Sequence, residues 1–500
     1  MSVSKKHTLQ SLFLCLLALL LCVGCQPVAP VDPVNEDTTP AETEQTEAPA
    51  PTDAILNGVK LSEYTIVYSD EDLDYSLRAA EYIRDQIKEI TDIELTLKED
   101  GNKAEPAAHE IVVGKTNRAI SEDLDADTEG VEFAILAKDG HIALEGDYFV
   151  IAAAAYFFIH TYVPAEVFDC TVPEEITVHE PIVQKADNVI FMIADGAGYN
   201  HTRLLDGMTP PANNDYSDGE DTYYGYLLPA FSFVRTNSLS GLLYGERVPT
   251  DSAASGTALS SGHKTKNYVV GIDITTGKPT KSLTEIAGDL GKSTAVLTTD
   301  VVTGATPTAF SGHSMDRKDT ATIQASQAKT VEKYGTIIEH VPDAYAAEGV
   351  AMMEKQVVDT LEKLSKNEKG FFMMYEDHMT DGHSHSSNLN QTFLVVLRFN
   401  QIVARCMEYA FYHPNTFVVI TADHETGGLI PDGTGGYKYT SGGSHTANYV
   451  PLFAYGEGSE LFDQDLIENV QIPKTIAKFW GIHIEGNDNG EYPALQEQAK

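Results

Sequence analysis

Carboxylate and imidazole side chains occur together at two places in the second half of the chain. Asp381 and His385 are four residues apart, so a helical turn would place both on one face, within reach of one ion. Asp423 and His424 are adjacent and follow an apolar run. Carboxylate with imidazole is a donor mixture that Zn²⁺ accepts, so these pairs predict metal ligands. A solvated polar loop is the alternative in an acidic chain with 16 histidines.

A serine provides a possible nucleophile. Ser252 follows Asp251 and precedes small residues that suit close helix packing. At a helix N-terminus, its alkoxide would be favoured by the helix dipole and the free N–H groups. A simple helix cap at Asp251 or Ser252 is an equally physical interpretation. Asp195 and His445 both lie in glycine-rich segments, which by themselves indicate only a tight turn and a surface loop.

Apolar runs in the second half predict the elements that position these residues. Asn188–Ala194 is almost continuously apolar, as expected for a strand buried on both faces of a parallel sheet. Further strands are predicted at Ser293–Thr298, Phe371–Tyr375 and Thr416–Thr421, with helices at Glu348–Leu364 and His385–Tyr409 between them. Open α/β sheets bind ligands beyond the carboxyl ends of their strands. The polar residues near these predicted strand ends are Asp195, Thr306, Glu376, Asp423 and His424.

Residues 55–184 predict a separate, small α/β domain. A strand is expected at Tyr64–Val67 and a helix at Leu73–Ile90. A hairpin with an Asp139-Gly140 turn and an alanine-rich helix over Tyr148–His160 complete the unit. It resembles the small α/β domain ahead of some bacterial glycoside hydrolases, which implies glycan contact. A structural spacer is the alternative, because a fold does not fix a function.

The N-terminus predicts export. Lys5 and Lys6 precede an apolar stretch that ends at Cys25 and is too short to cross a hydrocarbon core of ~30 Å, so residues 1–24 are predicted to be a signal peptide. The stretch resembles a bacterial lipobox, with Cys22 where a leucine is usual, which implies a lipid anchor on Cys25. Ordinary secretion is the alternative. Either outcome places the protein outside the cytoplasm, at the cell surface or in the periplasm.

Composition narrows the possible partners. The formal net charge of -40 argues against nucleic acid and against a polybasic membrane patch, because both need clustered Lys and Arg. Residues 25–54 hold proline and acidic side chains without Lys, Arg or aromatic residues, which predicts a disordered linker. The five cysteines are too few for a disulfide framework once the leader and a lipidated Cys25 are set aside.

The motifs over residues 188–462 resemble, in this order, those of the alkaline phosphatase family. Asp251-Ser252-Ala253 resembles the family's nucleophile motif, and His313–Arg317 aligns with the stretch that ends in its phosphate-binding arginine. The resemblance implies hydrolysis of small phosphate monoesters through a phosphoserine at Ser252, with Arg317 binding the phosphate. It also implies, for residues 185–500, a central, mostly parallel sheet with helices on both faces, preceded here by the small α/β domain.

The resemblance further implies two Zn²⁺ ions and one Mg²⁺ ion. The implied ligands are Asp381, His385 and His445 for the first zinc; Asp195, Ser252, Asp423 and His424 for the second; and Asp195, Thr306 and Glu376 for magnesium. Gly304 stands where family members carry an Asp or a His that supports the magnesium shell. The occupancy of the magnesium site therefore stays open.

Related enzymes and a different class of protein remain as alternatives. A phosphodiesterase or another hydrolase of the same superfamily would share most of these motifs. A sulfatase needs Cys or Ser followed by x-Pro-x-Arg, whereas Ala-Ala-Ser follows Ser252. A surface lipoprotein that binds glycan or cell wall, with secondary phosphatase activity, is the alternative from a different class.

Overall fold

The computed structural model describes residues 54–72, 74–101, 105–124, 126–163, 169–174, 176–208, 222–240 and 248–485. The predicted signal peptide, Cys25 and all of the predicted linker except Ala54 lie outside these residues. Within the described part of the chain, no helix is long and apolar enough to cross a membrane. Cys406 is a buried free thiol.

Two larger sheets and several two- or three-stranded ones account for the strands. Their bounds are β1 (Ile55–Leu56), β2 (Val59–Lys60), β3 (Thr65–Tyr68), β4 (Thr96–Glu99), β5 (Glu110–Val113), β6 (Phe133–Lys138), β7 (His141–Glu145), β8 (Asp169–Cys170), β9 (Thr177–His179), β10 (Asn188–Ala194), β11 (Ala230–Arg235), β12 (Ile272–Asp273), β13 (Lys278–Pro279), β14 (Ser293–Thr298), β15 (Ile337–His340), β16 (Phe371–Asp377), β17 (Thr416–Thr421), β18 (Glu425–Thr426), β19 (Ile430–Pro431), β20 (Tyr437–Lys438), β21 (His445–Thr446), β22 (Val450–Tyr455) and β23 (Gln464–Glu468).

The helices lie between these strands. Their bounds are α1 (Tyr75–Thr91), α2 (Ala119–Asp123), α3 (Ile151–Tyr162), α4 (Tyr199–Thr202), α5 (Leu204–Gly207), α6 (Ser252–Ser261), α7 (Leu283–Asp289), α8 (Ala305–Ser311), α9 (Thr320–Tyr334), α10 (Ala347–Leu364), α11 (Met379–His385), α12 (Leu389–Tyr412) and α13 (Gln471–Phe479). Short 3₁₀ turns occupy Leu61–Glu63, Tyr148–Val150, Tyr224–Leu227 and Ser459–Phe462.

The six-stranded sheet has the order β4-β3-β5-β7-β6-β9, with β4, β3, β5 and β7 parallel. Helices α1 and α3 pack together in the core that covers it. Strands β6 and β7 form the predicted hairpin, and Asp139 and Gly140 at its turn have φ values of 51° and 80°. Positive φ at both positions is typical of the type I′ turn that Asp-Gly favours.

The eight-stranded sheet has the order β15-β14-β16-β10-β17-β22-β11-β23. Strands β15, β14, β16, β10 and β17 run parallel, and β22 is antiparallel to both of its neighbours. Every residue of β10 is buried, as its apolar sequence predicts for a strand covered on both faces. The predicted architecture, a mostly parallel sheet with helices, is confirmed.

Two predicted boundaries are wrong in ways that affect the site. Strand β16 continues to Asp377, so Glu376 lies in the strand rather than after it. The helix predicted from His385 begins at Leu389 instead, because Ser387 has a φ of 52° and the side chain of Asn388 caps the new helix. His385 is consequently the last residue of the short helix α11.

Candidate active site

Ser252 is the first residue of the buried helix α6. The preceding Asp251 caps this helix, since its Oδ1 accepts a hydrogen bond from the N–H of Ala254 at 3.0 Å. The Ser252 hydroxyl therefore does not serve as the cap and lies 3.2 Å from Nε2 of His424. The sequence allows either a helix cap or a nucleophile here. In the structure Asp251 is the cap, which leaves the Ser252 hydroxyl available as the candidate nucleophile.

Asp381, His385 and His445 form one cluster of possible metal ligands, with donor atoms within 4.8 Å of one another. Nδ1 of His385 lies 2.5 Å from the Gly443 carbonyl, and Nδ1 of His445 lies 2.9 Å from the Thr250 carbonyl. A carbonyl oxygen only accepts, so each Nδ1 carries a proton and each Nε2 of a neutral ring presents a lone pair. These two Nε2 atoms lie 3.2 Å apart. A cation bound between them would relieve their repulsion.

The Asp381 carboxylate completes this first cluster. Its oxygens lie 3.1 Å from Nε2 of His385 and 3.4 Å from Nε2 of His445, and the Thr426 hydroxyl donates to it. Burial opposes ionisation of Asp381, but when the two histidine rings are protonated and each Nε2 can donate, their hydrogen bonds outweigh burial and hold the pKa of Asp381 well below its usual range. The group is therefore an anion ready to bind a cation.

Asp195, Asp423 and His424 form a second, fully buried cluster. Oδ1 of Asp423 accepts hydrogen bonds from the N–H groups of Gly196, at 3.2 Å, and His424, at 2.9 Å. Oδ2 of Asp423 and Oδ1 of Asp195 are buried without a hydrogen bond, 3.3 and 3.5 Å from Nε2 of His424. Buried acceptors that lack a partner are costly, and a shared cation would satisfy both oxygens and bind Nε2 of His424 as well.

The charges of the second cluster agree with that interpretation. Burial, followed by the charge of Asp423, raises the pKa of Asp195 well above its usual value. Burial also lowers the pKa of His424, which favours the neutral, ligating form of its ring. Two carboxylates this close are stabilised as anions only by a positive charge between or beside them.

Glu376 and Thr306 form a third group next to Asp195. Glu376 pairs with Ile193 in the neighbouring strand, so it and Asp195 lie at the same sheet edge. Burial raises the pKa of Glu376 to about 8, although the Thr298 hydroxyl donates to it and opposes this shift. Oγ1 of Thr306, in α8, is buried without a well-formed hydrogen bond, and it lies close enough to Glu376 to oppose the rise in the pKa of that group. Carboxylate and hydroxyl oxygens are suitable ligands for Mg²⁺.

Arg317 contacts the residue that caps the N-terminus of α6. Its Nη1 donates to Oδ2 of Asp251 at 3.1 Å, and that oxygen also accepts from the N–H of Tyr268 at 3.0 Å. The arginine side chain is 29% exposed, so part of its guanidinium remains accessible to an anion. Because Asp251 is next to Ser252, this contact holds Arg317 near the candidate nucleophile.

The structure brings the predicted site residues together in these three groups, with Arg317 held beside Ser252 through Asp251. Two residues organise these groups in ways that the sequence does not predict. Asp251 caps α6 and also holds Arg317, although its sequence position indicates only a cap. Thr426 donates to Asp381 and lies 3.2 Å from Nδ1 of His424, so it contacts both the first and the second cluster. Its only sequence signal is its place two residues after His424.

Comparison with known proteins adds independent findings. The profile of the family described as "Alkaline phosphatase" matches residues 186–348 and 347–442. Alkaline phosphatase 4 of Bacillus subtilis is 25% identical over 359 residues, which is 60% of this chain and 73% of that protein. Alkaline phosphatase 3 of the same organism is 26% identical over 373 residues, or 63% of this chain and 75% of that protein.

A solved structure shows a similar fold. The alkaline phosphatase of the Antarctic bacterium TAB5 superposes with a TM-score of 0.50 at 23% identity, covering 59% of this chain and 98% of that one. At this identity the likeness concerns the fold alone. It agrees with the mostly parallel sheet and flanking helices that the described residues between 185 and 485 form.

Proposed function

The chain belongs to the alkaline phosphatase family and is a hydrolase of that superfamily, and we propose that it hydrolyses phosphate monoesters through a phosphoserine at Ser252. One observation carries the proposal. The Ser252 hydroxyl lies at a buried helix N-terminus, 3.2 Å from His424, which itself belongs to one of the two clusters of possible metal ligands. Small phosphate monoesters are the substrates that this arrangement fits, with inorganic phosphate as a product.

The donor sets fit two Zn²⁺ ions and one Mg²⁺ ion. Asp381, His385 and His445 would hold one zinc, and the buried acceptors of Asp195, Asp423 and His424, with Ser252, would hold the other. Asp195, Glu376 and the Thr306 hydroxyl would hold magnesium. When bound, such ions supply Lewis acidity that stabilises anionic oxygens and lowers the pKa of bound hydroxyl groups.

The chain's own groups then account for the two displacements. Oγ of Ser252 forms a bond to phosphorus as the bond to the ester oxygen breaks, and the departing alcohol takes a proton. Water then forms a bond to phosphorus, and Oγ of Ser252 departs and regains a proton. The free N–H groups at the start of α6 stabilise the anionic phosphoryl group. The planar Arg317 guanidinium can bind two of its oxygens, and Asp251 keeps it in place.

Charge explains how so acidic a protein can bind an anionic substrate. The chain has a net charge of -40, which would repel a phosphate ester from most of its surface. Three divalent cations with Arg317 outweigh the carboxylates of Asp195, Glu376, Asp381 and Asp423 together with an ionised Ser252. Bound ions dominate the local field in such sites, so phosphate binding itself should depend on them.

The test is a panel of aryl esters assayed beside metal analysis of the purified protein. Turnover of the phosphate monoester should exceed that of the matching phosphodiester and sulfate ester, and a chelator should abolish it. The protein should contain zinc and magnesium in a ratio of two to one. Preferential cleavage of the diester or the sulfate would replace monoesterase with another activity of the superfamily.

Export, a lipid anchor on Cys25 and glycan contact by residues 55–184 are further parts of the proposal. They are supported by residues 1–25 and by the resemblance of the small domain. Radiolabelled fatty acid should enter the wild-type protein and not Cys25→Ser, and the Cys25→Ser protein should appear in the medium or the soluble envelope fraction. Labelling that persists in Cys25→Ser would contradict the anchor.

A further inference from the structure

Gly304, at the start of α8, does not need the backbone freedom of glycine. Its φ of −59° and ψ of 168° are open to any residue. Ser, Thr, Asp or Asn at such an N-cap position would accept a hydrogen bond from the helix, and Gly304 makes no side-chain cap. Another feature of the structure must therefore account for the missing side chain.

The Asp300 carboxylate occupies the space that a side chain at residue 304 would fill. An ideal Cβ built on Gly304 would lie 2.0 Å from Oδ2 of Asp300 and 2.8 Å from its Cγ. The other oxygen, Oδ1, accepts a hydrogen bond from the N–H of Val301 at 2.7 Å. That bond fixes the carboxylate, with Oδ2 next to residue 304.

Asp300 is also connected to the third group of candidate ligands. Its N–H donates to Oγ1 of Thr298 at 2.9 Å, and that hydroxyl in turn donates to Glu376. The charge of Asp300, after burial, is among the influences that raise the pKa of Glu376. The hydroxyl of Thr306, only two residues beyond Gly304, is buried without a well-formed hydrogen bond, as is one oxygen of Asp195.

We propose that Asp300 is a positioning residue of the magnesium site and supplies, from a different place in the chain, the carboxylate that residue 304 lacks. Mg²⁺ keeps several of its water molecules when it binds a protein, and nearby carboxylates orient such water ligands by accepting hydrogen bonds. The Asp300 carboxylate would act in this way, through water, while Asp195, Glu376 and Thr306 bind the ion; the backbone bond from Asp300 to Thr298 keeps the residue beside Glu376. The inference rests on the proposed function, because it concerns one of the three ions.

The test measures magnesium affinity directly, by calorimetric titration of zinc-saturated protein. Asp300→Asn should bind Mg²⁺ roughly 10- to 100-fold more weakly than the wild-type protein, the scale of effect for residues that support metal ligands. Its zinc content should not change. Asp319→Asn is the matched control: this exposed residue caps α9, a role that asparagine also fills, and the magnesium affinity should stay at the wild-type value.

A double variant tests whether a carboxylate in this space is sufficient, whichever of residues 300 and 304 carries it. Asp300→Gly combined with Gly304→Asp moves the carboxylate to residue 304, where the backbone oxygen of Val301, 3.0 Å from the new Cβ, must shift by a few tenths of an ångström. This double variant should recover magnesium affinity relative to Asp300→Gly alone. Wild-type affinity in a correctly folded Asp300→Asn would overturn the inference and leave the proposed function intact. Absence of any magnesium binding in the wild-type protein would overturn both the inference and the magnesium part of the proposed function.

Discussion

Both larger sheets place buried acidic side chains at or near the ends of parallel strands, but the acids of the candidate site have different partners from those of the six-stranded sheet. Elsewhere in the eight-stranded sheet, Asp377 is paired with Arg398 at 2.7 Å. In the six-stranded sheet, Arg118 donates to Asp100 at 2.8 Å and to Glu110 at 2.9 Å. The second oxygen of Asp100 accepts a hydrogen bond from the N–H of Asn117, and the second oxygen of Glu110 accepts one from the N–H of Ala107. At the candidate site of the eight-stranded sheet, one oxygen of Asp195 and one oxygen of Asp423 have no hydrogen bond, and among the ion pairs of the described residues neither carboxylate is paired with Lys or Arg.

This difference separates a structural role from a chemical one. A buried carboxylate must be neutralised or hydrogen-bonded, and Arg118 meets that need within the chain itself. The second cluster meets it only in part, which is the expected condition of a site whose positive charge comes from bound ions. Burial and negative charge alone therefore do not identify the site; the missing partners do.

The largest expected effect comes from removing metal ions. Dialysis against a chelator should abolish both turnover and binding of inorganic phosphate, because Arg317 alone cannot offset the ligand carboxylates. Return of Zn²⁺ and Mg²⁺ should restore both. Calorimetric phosphate titration and an aryl phosphate assay measure the two properties. Full phosphate binding by the metal-free protein would contradict the claim that the candidate site, unlike the six-stranded sheet, obtains its positive charge from bound ions.

Substitution of the nucleophile should have the next largest effect. Ser252→Ala should lose at least ~3 orders of magnitude in monoester turnover, the scale on which loss of a nucleophile acts, while zinc content is retained. Ser260→Ala is the control, since this buried serine of the same helix bonds only the Thr257 carbonyl, and its turnover should stay close to wild type. Equal turnover in Ser252→Ala and Ser260→Ala would exclude Ser252 as the nucleophile.

Arg118→Met tests the structural role of the buried ion pairs in the six-stranded sheet. It leaves Asp100 and Glu110 buried without their counter-charge, so the free energy of unfolding should fall by about 3–5 kcal/mol. Metal content and the turnover of the folded fraction should not change. Arg84→Met, which breaks the more exposed pair with Asp85, should cost less than about 1 kcal/mol. Denaturant unfolding with parallel metal analysis checks both, and zinc loss in Arg118→Met would contradict a purely structural role.

A smaller effect is expected at the phosphate-binding arginine. Arg317→Ala should lower kcat/KM for the monoester by about 100-fold, the lower end of the range for removing one stabilising donor from an active site. Asp251→Asn should lower it less, since asparagine still caps the helix but loses the charge that holds Arg317. Steady-state kinetics would test this order, and a larger loss in Asp251→Asn than in Arg317→Ala would contradict it.

The sequence predicted much of this molecule because its signals are local. Apolar runs such as Asn188–Ala194 identify buried strands, and strand ends then direct attention to residues such as Asp195 and Asp423. The break after His385 was missed, because the apolar pattern of the following helix gives no sign of the positive φ at Ser387. Helical periodicity does not show where a chain reverses into the left-handed region.

Contacts between distant segments could not be predicted from the sequence. The pairing of Asp251 with Arg317 joins residues 66 positions apart, and nothing near either residue indicates it. Even a local feature can escape the sequence: nothing in it shows that the turn between Asp300 and Gly304 places the Asp300 carboxylate where a side chain at residue 304 would lie.

The most direct test of the central claim is a crystal structure of the metal-loaded protein with anomalous scattering data at the zinc edge. Two zinc peaks should appear, one between Asp381, His385 and His445 and the other between Asp195, Asp423 and His424. Oγ of Ser252 should face the second. A single peak, or zinc bound outside these two clusters, would contradict the proposal that these segments form one catalytic metal centre.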